Sequence, residues 1–410
     1  MLKLRRATVV ETDRPQPEGA DSGATGSERG PEQQLVVQLS EPDGGARRAA
    51  IADVALVGRS EVGDEVIVNV QALDLGLGSG GFDIVHVNLT RGLGGDGADG
   101  ANVMKLNYTS LQHAVVPVED ERLALPLQQP VAVLALHGQL AAVAWAFAQS
   151  APAGRLGYVQ TEGGALPGGH SRTVRGLRER GLLAGHLTAG ASFGGEGEAI
   201  TTAGALHHGL RALGWDAAVC GPGPGIVGSS SQLGHGGMSA LDSAHVSLAL
   251  GCPTLLVARM SSGDDRARHR GISHHTLTVL DLLLEPVTVA LPAGMRSPVG
   301  ADLRAGLGAV FGGAMPSRPA LALDVERPVR ITRHDWRRAA VDLPAYAASG
   351  LSTETMGRRL AEDPLFFGAA LAGGTALAEL AARSAGGQGD AEDPGDAEDQ
   401  AGSDDEGEAG

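Results

Sequence analysis

Aromatic side chains make up only 3% of this 410-residue sequence, against 42% hydrophobic residues overall. A chain of that composition fills its interior with Ala, Val and Leu, and it lacks the aromatic platforms on which bases or sugar rings stack. Lysine is almost as scarce. Lys3 and Lys105 are the whole complement, which excludes a phosphate loop built on a lysine and restricts a Schiff-base lysine to those two. The two cysteines, Cys220 and Cys252, each border an apolar run without metal-ligand spacing, and read as reduced core residues. The start turns charged at once, and there is no run of about 18 apolar residues. The expected location is the cytoplasm.

Negative charge is what the chain has in excess, at -16 formally. Ten of the acids lie between Asp390 and Glu408 with no basic residue among them, which leaves about -6 for the rest. From Gly386 onward the composition cannot bury a core, so a disordered acidic tail is expected. An acidic balance disfavours DNA and anionic membranes as partners. The expectation is therefore no nucleic acid and no membrane; oligomeric state is not readable.

The length suits two domains. Residues 5–10 and 34–39 read as β-branched strands separated by a stretch of linker composition, a flexible insertion over 14–33. Further strands at short spacing follow in IADVALVG, EVIVNVQALDLG and FDIVHVNL, and a last one in MKLNYTSLQHAVVPVED is expected to close the domain. A small β barrel or sandwich over 1–125 fits that pattern.

From Pro130 the pattern changes to apolar strands alternating with helical periodicity, the mark of a mostly parallel, doubly wound (Rossmann-like) α/β sheet. Six strands are drawn, in VAVLALH, RLGYVQT, LLAGHLT, DAAVCG, TLLVARM and VTVALP, with five intervening helices, over a domain of residues 126–325. A helix around 301–311, strand-like ALALDVERPVRIT and a helix pair interrupted near Pro364 make up a C-terminal extension over 326–385.

Four blocks carry a family resemblance: GDEVIVNVQALDLGLGSGGFDIVHVNL (63–89), GPGPGIVGSSSQLGHGGMSALDSAHVSLALGCPTLLVARMS (221–261), RHRGISHHTLTVL (268–280) and TMGRRLAEDPLFFGAALAGG (355–374). Together they resemble a bacterial family known only as domain of unknown function 3866. The resemblance spans nearly the whole chain apart from the insertion, a Gly-rich loop near residue 95 and the tail. It implies no activity, cofactor or site residue, so the chemistry is argued from the residues.

Ligands of open parallel sheets bind beyond the carboxyl ends of the strands, where this chain concentrates its non-packing residues. Glu162, in TEGGALP after an apolar strand, is a candidate general acid or base. Gly223, Gly225 and Gly228 have dinucleotide-loop spacing, but Pro222 and Pro224 remove amides and no acidic residue ends the next strand, where Arg259 and Met260 sit. These glycines with the hydroxyls of Ser229–Ser231 suit some other anion. Ser192 lies in a G-x-S-x-G between strand and helix, as a nucleophile elbow requires, yet a histidine in the position a triad needs is missing and His334 comes late. Gly194 and Gly195 belong to the same loop, and Glu196 and Glu198 read as a first helical turn that complements the dipole. RHRGISHHT makes Ser273 an N-cap with His274 and His275 in the first turn, near Arg270, an arrangement suited to phosphate or carboxylate. Adjacent helical histidines project about 100° apart, so no metal is expected.

The leading expectation is an α/β domain that binds an anionic small molecule, its catalytic residues Glu162, His274 and Ser192 if it is an enzyme. A serine hydrolase using Ser192 and a non-enzymatic regulatory or scaffold protein are the alternatives; the cofactor is unknown.

Overall fold

The structure is a computed structural model, and it describes residues 2–13, 32–40, 45–76, 81–95, 97, 99–164, 167–229, 231–294 and 327–386. Of the insertion expected over 14–33, residues 14–31 lie outside the described residues, as do the expected helix at 301–311 and the acidic tail, while Glu32 and Gln33 are already part of a strand that runs to Leu39.

Strands β1 (Leu4–Thr12), β2 (Glu32–Leu39) and β3 (Arg47–Asp53), a helical turn α1 (Val54–Val57), β4 (Glu65–Asn69), a second turn α2 (Gln71–Asp74) and β5 (Asp83–Asn88) form the first unit. Strict alternation in β1 and β2 turns Ala7, Val9, Leu35, Val37 and Leu39 inward. The strands close into a barrel in the order β1-β2-β3-β5-β4, with β3 and β5 parallel. Closure by β1 against β4 replaces the closing strand expected near residue 115. That segment instead forms a separate ribbon of β6 (Val103–Lys105) and β7 (His113–Val115), which sends Lys105 into the second unit.

The second unit is built on one parallel sheet. Its strands are β8 (Val131–Val133), β9 (Leu156–Thr161), β10 (Gly185–Ala189), β11 (Gly197–Ala199), β12 (Ala217–Pro222), β13 (Thr254–Leu256), β16 (Thr288–Pro292) and β17 (Asp335–Ala339). The order is β11-β10-β9-β12-β8-β13-β16-β17, eight strands where about six were expected. One additional strand is β11: Gly195 and Gly197 disfavour the helix expected at Glu196 and Glu198, and the segment pairs with β10 instead. The other is β17, which starts after the strand-like 320–332 segment. Residues 327–332 of that segment are helical and bury Ile331 in the core.

Connections that run toward β11 place α3 (Leu140–Ser150) and α4 (Arg172–Glu179) on one face. Connections in the opposite direction place α5 (Thr202–Arg211), α6 (Ser239–Ala249) and α7 (His274–Leu282) on the other. Between β13 and α7 a small ribbon pairs β14 (Met260–Ser261) with β15 (Gly271–Ile272). After β16 come α8 (Arg327–Thr332), α9 (Leu343–Ala348), a ribbon of β18 (Glu354–Thr355) and β19 (Arg358–Arg359), and α10 (Pro364–Gly386). The helix pair expected here is thus a ribbon followed by one helix. Pro364 opens that helix rather than interrupting it, because a first-turn residue needs no amide hydrogen.

Helix α10 is long and apolar enough to cross a membrane by length and composition, and 72% of its most apolar window is buried within the protein. It lies against α3 and β16. Contact with α3 depends on Gly374, where a Cβ would fall 2.2 Å from the Val143 carbonyl oxygen. Because β8 lies between β12 and β13, the chain reverses direction at the centre of the sheet, and the loops leaving β8, β9, β12 and β13 part to opposite faces. That edge is where a ligand of such a sheet sits.

Candidate functional site

Two groups of polar side chains occupy the carboxyl edge. The first surrounds β9, β10 and β11. Lys105, buried, donates from Nζ to Glu198 (2.6 Å) and to the carbonyls of Ser192 (2.6 Å) and Thr188 (3.2 Å). Glu198 also accepts from the Thr188 hydroxyl (2.7 Å) and the Gly194 amide (2.7 Å), and the Gly195 amide donates to Thr188 Oγ1 (3.3 Å). Every member of this group is satisfied by another, so it holds the loop between β10 and β11 rather than offering donors outward. Ser192 takes a hydrogen bond from the Gln160 amide (3.1 Å), and no histidine hydrogen bonds to its hydroxyl among the described residues. His334 ties α7 to the amino end of β16 through the Leu280 carbonyl and the Val287 amide, at the opposite edge of the sheet.

Beside this group, Glu162 follows β9 with its Oε2 facing Gly190 and no hydrogen-bond or ion-pair partner for its carboxylate among the described residues. The loops around it meet at backbone contact. A Cβ on Gly163 would fall 2.6 Å from the Gly236 carbonyl oxygen, and one on Gly164 2.1 Å from that of Gly223. Only glycine permits so close an approach.

The second group lies beyond β13. Arg259, 3% exposed, reaches Asp264 at 3.6 Å, donates to His275 Nδ1 at 3.4 Å and meets the Met356 sulfur at 3.7 Å. Its Nε has no hydrogen-bond acceptor. Asp264, 1% exposed, also holds Arg266 (2.9 Å) and Arg358 (3.5 Å), the latter arriving from β19. Arg358 donates from Nε to the buried Asp363 (3.1 Å), which further accepts from the Ser261 hydroxyl (2.6 Å) and the Ser262 amide (2.7 Å). Three guanidiniums thus face two carboxylates, an excess of positive charge in a buried place. Burial and the neighbouring Arg266 push Arg259 down to about 10. Burial acts to raise Asp264, but the Arg266 guanidinium and amide hold its carboxyl well below the usual carboxylate range.

Four imidazoles line the same place. His235 stacks on His275 with centroids 4.0 Å apart, His274 lies 3.9 Å from His275, and His269 lies 5.0 Å from His274. Ser273 caps α7 by accepting from the His275 amide, as expected, and its hydroxyl also bonds His269 Nδ1 (2.8 Å). Burial first, then nearby guanidiniums, lower His269 to about 3 and His235 to about 4. His274 is likewise lowered to about 4 by burial and Arg268, so all three are neutral at pH 7.

The family model described as protein of unknown function (DUF3866) matches residues 49–374. The chain belongs to that family. No curated protein and no solved structure matches it. The DUF3866 match contains both polar groups in full, together with β3 from Ala49 onward, β4 and β5 of the barrel, while β1 and β2 lie outside it.

In this DUF3866 chain the residues expected to share one site fall into two sets. Glu162, Ser192, Gly194, Gly195, Glu198 and Gly223 belong to the first group. Arg259, Arg270, Ser273, His274 and His275 belong to the second, where Arg270 donates to the Asp264 carbonyl (2.8 Å). The strands β9 and β13 lie about 14 Å apart, while the loop after β9 closes on the loop that carries His235, with Gly163 against Gly236. Between them, Gly228 pairs with His235 in an isolated bridge, so Gly225 and Gly228 shape a loop that delivers His235, while Ser229 sits at its exposed tip bonded to Ser231 (3.0 Å).

Sequence reasoning passed over His235, Asp363 and Lys105. His235 carried a signal, as a histidine in a glycine-rich loop ahead of a helix, a signal that His170 shares. Arg358, in the segment expected to be a helix pair, lies on β19 and reaches the second group. A separate cavity of about 710 Å³ opens where the barrel meets the sheet, lined among others by Glu11, Glu32, Phe82, His137, Ser171 and Pro224. Neither Glu162, Ser229, Arg259 nor His274 lines it.

Proposed function

We propose that the α/β domain binds an anionic small molecule through a phosphate or carboxylate group seated on Arg259 and Arg358 beyond β13. The observation that carries this reading is the buried Arg259, whose Nε has no hydrogen-bond acceptor, beside the partly buried Arg358, whose Nη2 makes only a 3.5 Å ion pair with Asp264. Buried donors of charged groups are costly to leave unmade, and an oxyanion satisfies them while balancing the local excess of charge. The carboxylate of Glu162, beside Gly190, has no partner among the described residues and is the candidate acid or base of the first set. The serine-hydrolase alternative lacks comparable support, since Ser192 is bonded to Gln160 and its loop is internally saturated. A scaffold role would rest chiefly on the acidic tail, which lies outside the described residues.

The test is a thermal-shift series in EDTA-treated protein with inorganic phosphate, pyrophosphate and citrate. A ligand at about 100 times its Kd stabilises the native state by about 2.7 kcal/mol, enough to raise the melting point measurably. Arg259→Met removes that shift. No shift with any of these anions, or a full shift retained in Arg259→Met, overturns the reading.

A further inference from the structure

We infer that His269, His274 and His275 form a binding site for a divalent first-row transition-metal ion such as zinc, with a fourth position open toward Arg259 and His235. The three side chains each offer one ring nitrogen, and these nitrogens all lie within 4.8 Å of one another. A tetrahedral ion with nitrogen ligands near 2.0–2.1 Å holds them about 3.4 Å apart, a difference that modest side-chain rotation closes. Imidazole donors without thiolate or carboxylate suit zinc, copper, iron or nickel rather than magnesium or calcium.

The local sequence explains how neighbouring histidines come to share one point. His274 is the first residue of α7 and Ser273 its cap, so His274 leaves the chain at the bend into the helix, and its ring lies 3.9 Å from that of His275. Their Cα–Cβ bonds diverge as in any helix, and it is the side-chain rotamers that bring the two rings to 3.9 Å.

A second observation is independent of the spacing. His274 Nε2 is buried without a hydrogen-bond partner, which is costly unless something accepts its lone pair or proton. His269 is held by its other nitrogen: its Nδ1 bonds Ser273 Oγ (2.8 Å), while its Nε2 accepts from Arg268 Nε at 3.4 Å, so Nε2 carries the lone pair and an ion takes it by displacing Arg268. A ligand imidazole anchored through its other nitrogen is the usual second layer of a metal site. His235 has the complementary role. Its Nδ1 accepts the Gly237 amide (3.0 Å), so its Nε2 carries the proton and donates, beside the open position rather than in the ligand set.

Charge decides what fills that position. The guanidiniums of Arg259, Arg266, Arg268 and Arg358 oppose a dication, two of them 3.4 Å from ring nitrogens of the set (Arg259 on His275 Nδ1, Arg268 on His269 Nε2), and Asp264 and Asp363 offset them in part. Three protein ligands with an open fourth position are the pattern of catalytic rather than structural zinc, and an oxyanion that bridges ion and Arg259 would satisfy both. The ion and the anion of the previous section are separable, because imidazoles hold one and guanidiniums the other.

The experiment uses the full chain, stripped with EDTA and exchanged into phosphate-free buffer, then titrated with Co²⁺ and followed by its visible ligand-field absorption. One Co²⁺ per chain is expected, displaced by Zn²⁺. His274→Ala, at a half-buried position that keeps the Ser273 cap, lowers the affinity by roughly 100-fold or more, since loss of a ligand costs at least as much as loss of an outer partner. His269→Gln, which keeps a donor toward Ser273, gives the same loss and serves if His274→Ala does not fold. His208→Ala, in the surface cluster with Asp120 and Glu121, leaves the absorption unchanged. Absence of one-to-one Co²⁺ binding, wild-type affinity in the folded histidine variants, or loss in His208→Ala overturns the site. A negative result here leaves the anion reading to its own test, which is run without metal.

Discussion

The two polar groups at the carboxyl edge are made of similar parts and behave in opposite ways. Around β10 and β11 one lysine meets one carboxylate, and the donors bound to that pair find carbonyl, hydroxyl or amide partners, with only His186 Nε2 on β10 buried without one among these strands' residues. Beyond β13 three guanidiniums share two carboxylates, and buried nitrogens of Arg259, Arg358 and His274 go without hydrogen-bond partners. Polar character at a sheet edge therefore does not mark a ligand site. The proposed anion site rests instead on guanidiniums that outnumber their carboxylate partners.

The largest effect that would break this comparison is expected from Lys105→Met. Removal of one partner from the buried Lys105–Glu198 pair leaves a carboxylate uncompensated and costs about 3–5 kcal/mol of stability in urea unfolding. Arg259→Met is the counterpart in the other group. Asp264 keeps Arg266 and Arg358 there, so stability of the ligand-free protein stays within about 1 kcal/mol of the parent while anion binding is lost. Equal destabilisation by both substitutions would show the two groups to be alike.

A third prediction concerns pH. Burial lowers His137 to about 4, and burial with His137 nearby lowers His186 to about 3, from an ordinary 6.5. The unfolded chain binds more protons than the folded one below that value. The stability these groups contribute is therefore fully present above pH 6.5 and is lost as pH falls toward 4 and below. Urea midpoints between pH 7 and 4.5 should fall steadily, and His186→Leu should flatten the slope. A slope unchanged by that substitution would remove His186 from the account.

The smallest effect is expected from Ser192→Ala. It frees one buried Gln160 donor, costs about 1–2 kcal/mol, and leaves anion binding intact. Loss of binding there would move the functional site to the first group.

How far the sequence was readable depends on the range of the interactions concerned. All six apolar strands and the five helices between them were legible, because burial on both faces of a parallel sheet writes continuous Val, Leu and Ala runs. Ser273 as a cap was legible for the same local reason. Lys105 was opaque: its partner Glu198 lies 93 positions away, and only the fold brings them together. Arg358 and Asp363 joined Asp264 across about a hundred residues in the same way, so a segment with helical composition concealed half of an ion-pair network. The glycines were legible as loops but not as what the loops do. Gly228 supports His235, and Gly163 and Gly164 let three loops touch, neither of which spacing alone can distinguish from a phosphate cradle.

The measurement that bears most directly on the contrast is an NMR titration of ¹⁵N-labelled protein with inorganic phosphate. It would follow the arginine Nε–H resonances and the backbone amide of Gly194. The account predicts a saturable shift of the Arg259 Nε–H signal, whose proton lacks an acceptor, with the Gly194 amide held still by Glu198. An unmoved Arg259 signal, or an equal movement of Gly194, would contradict it.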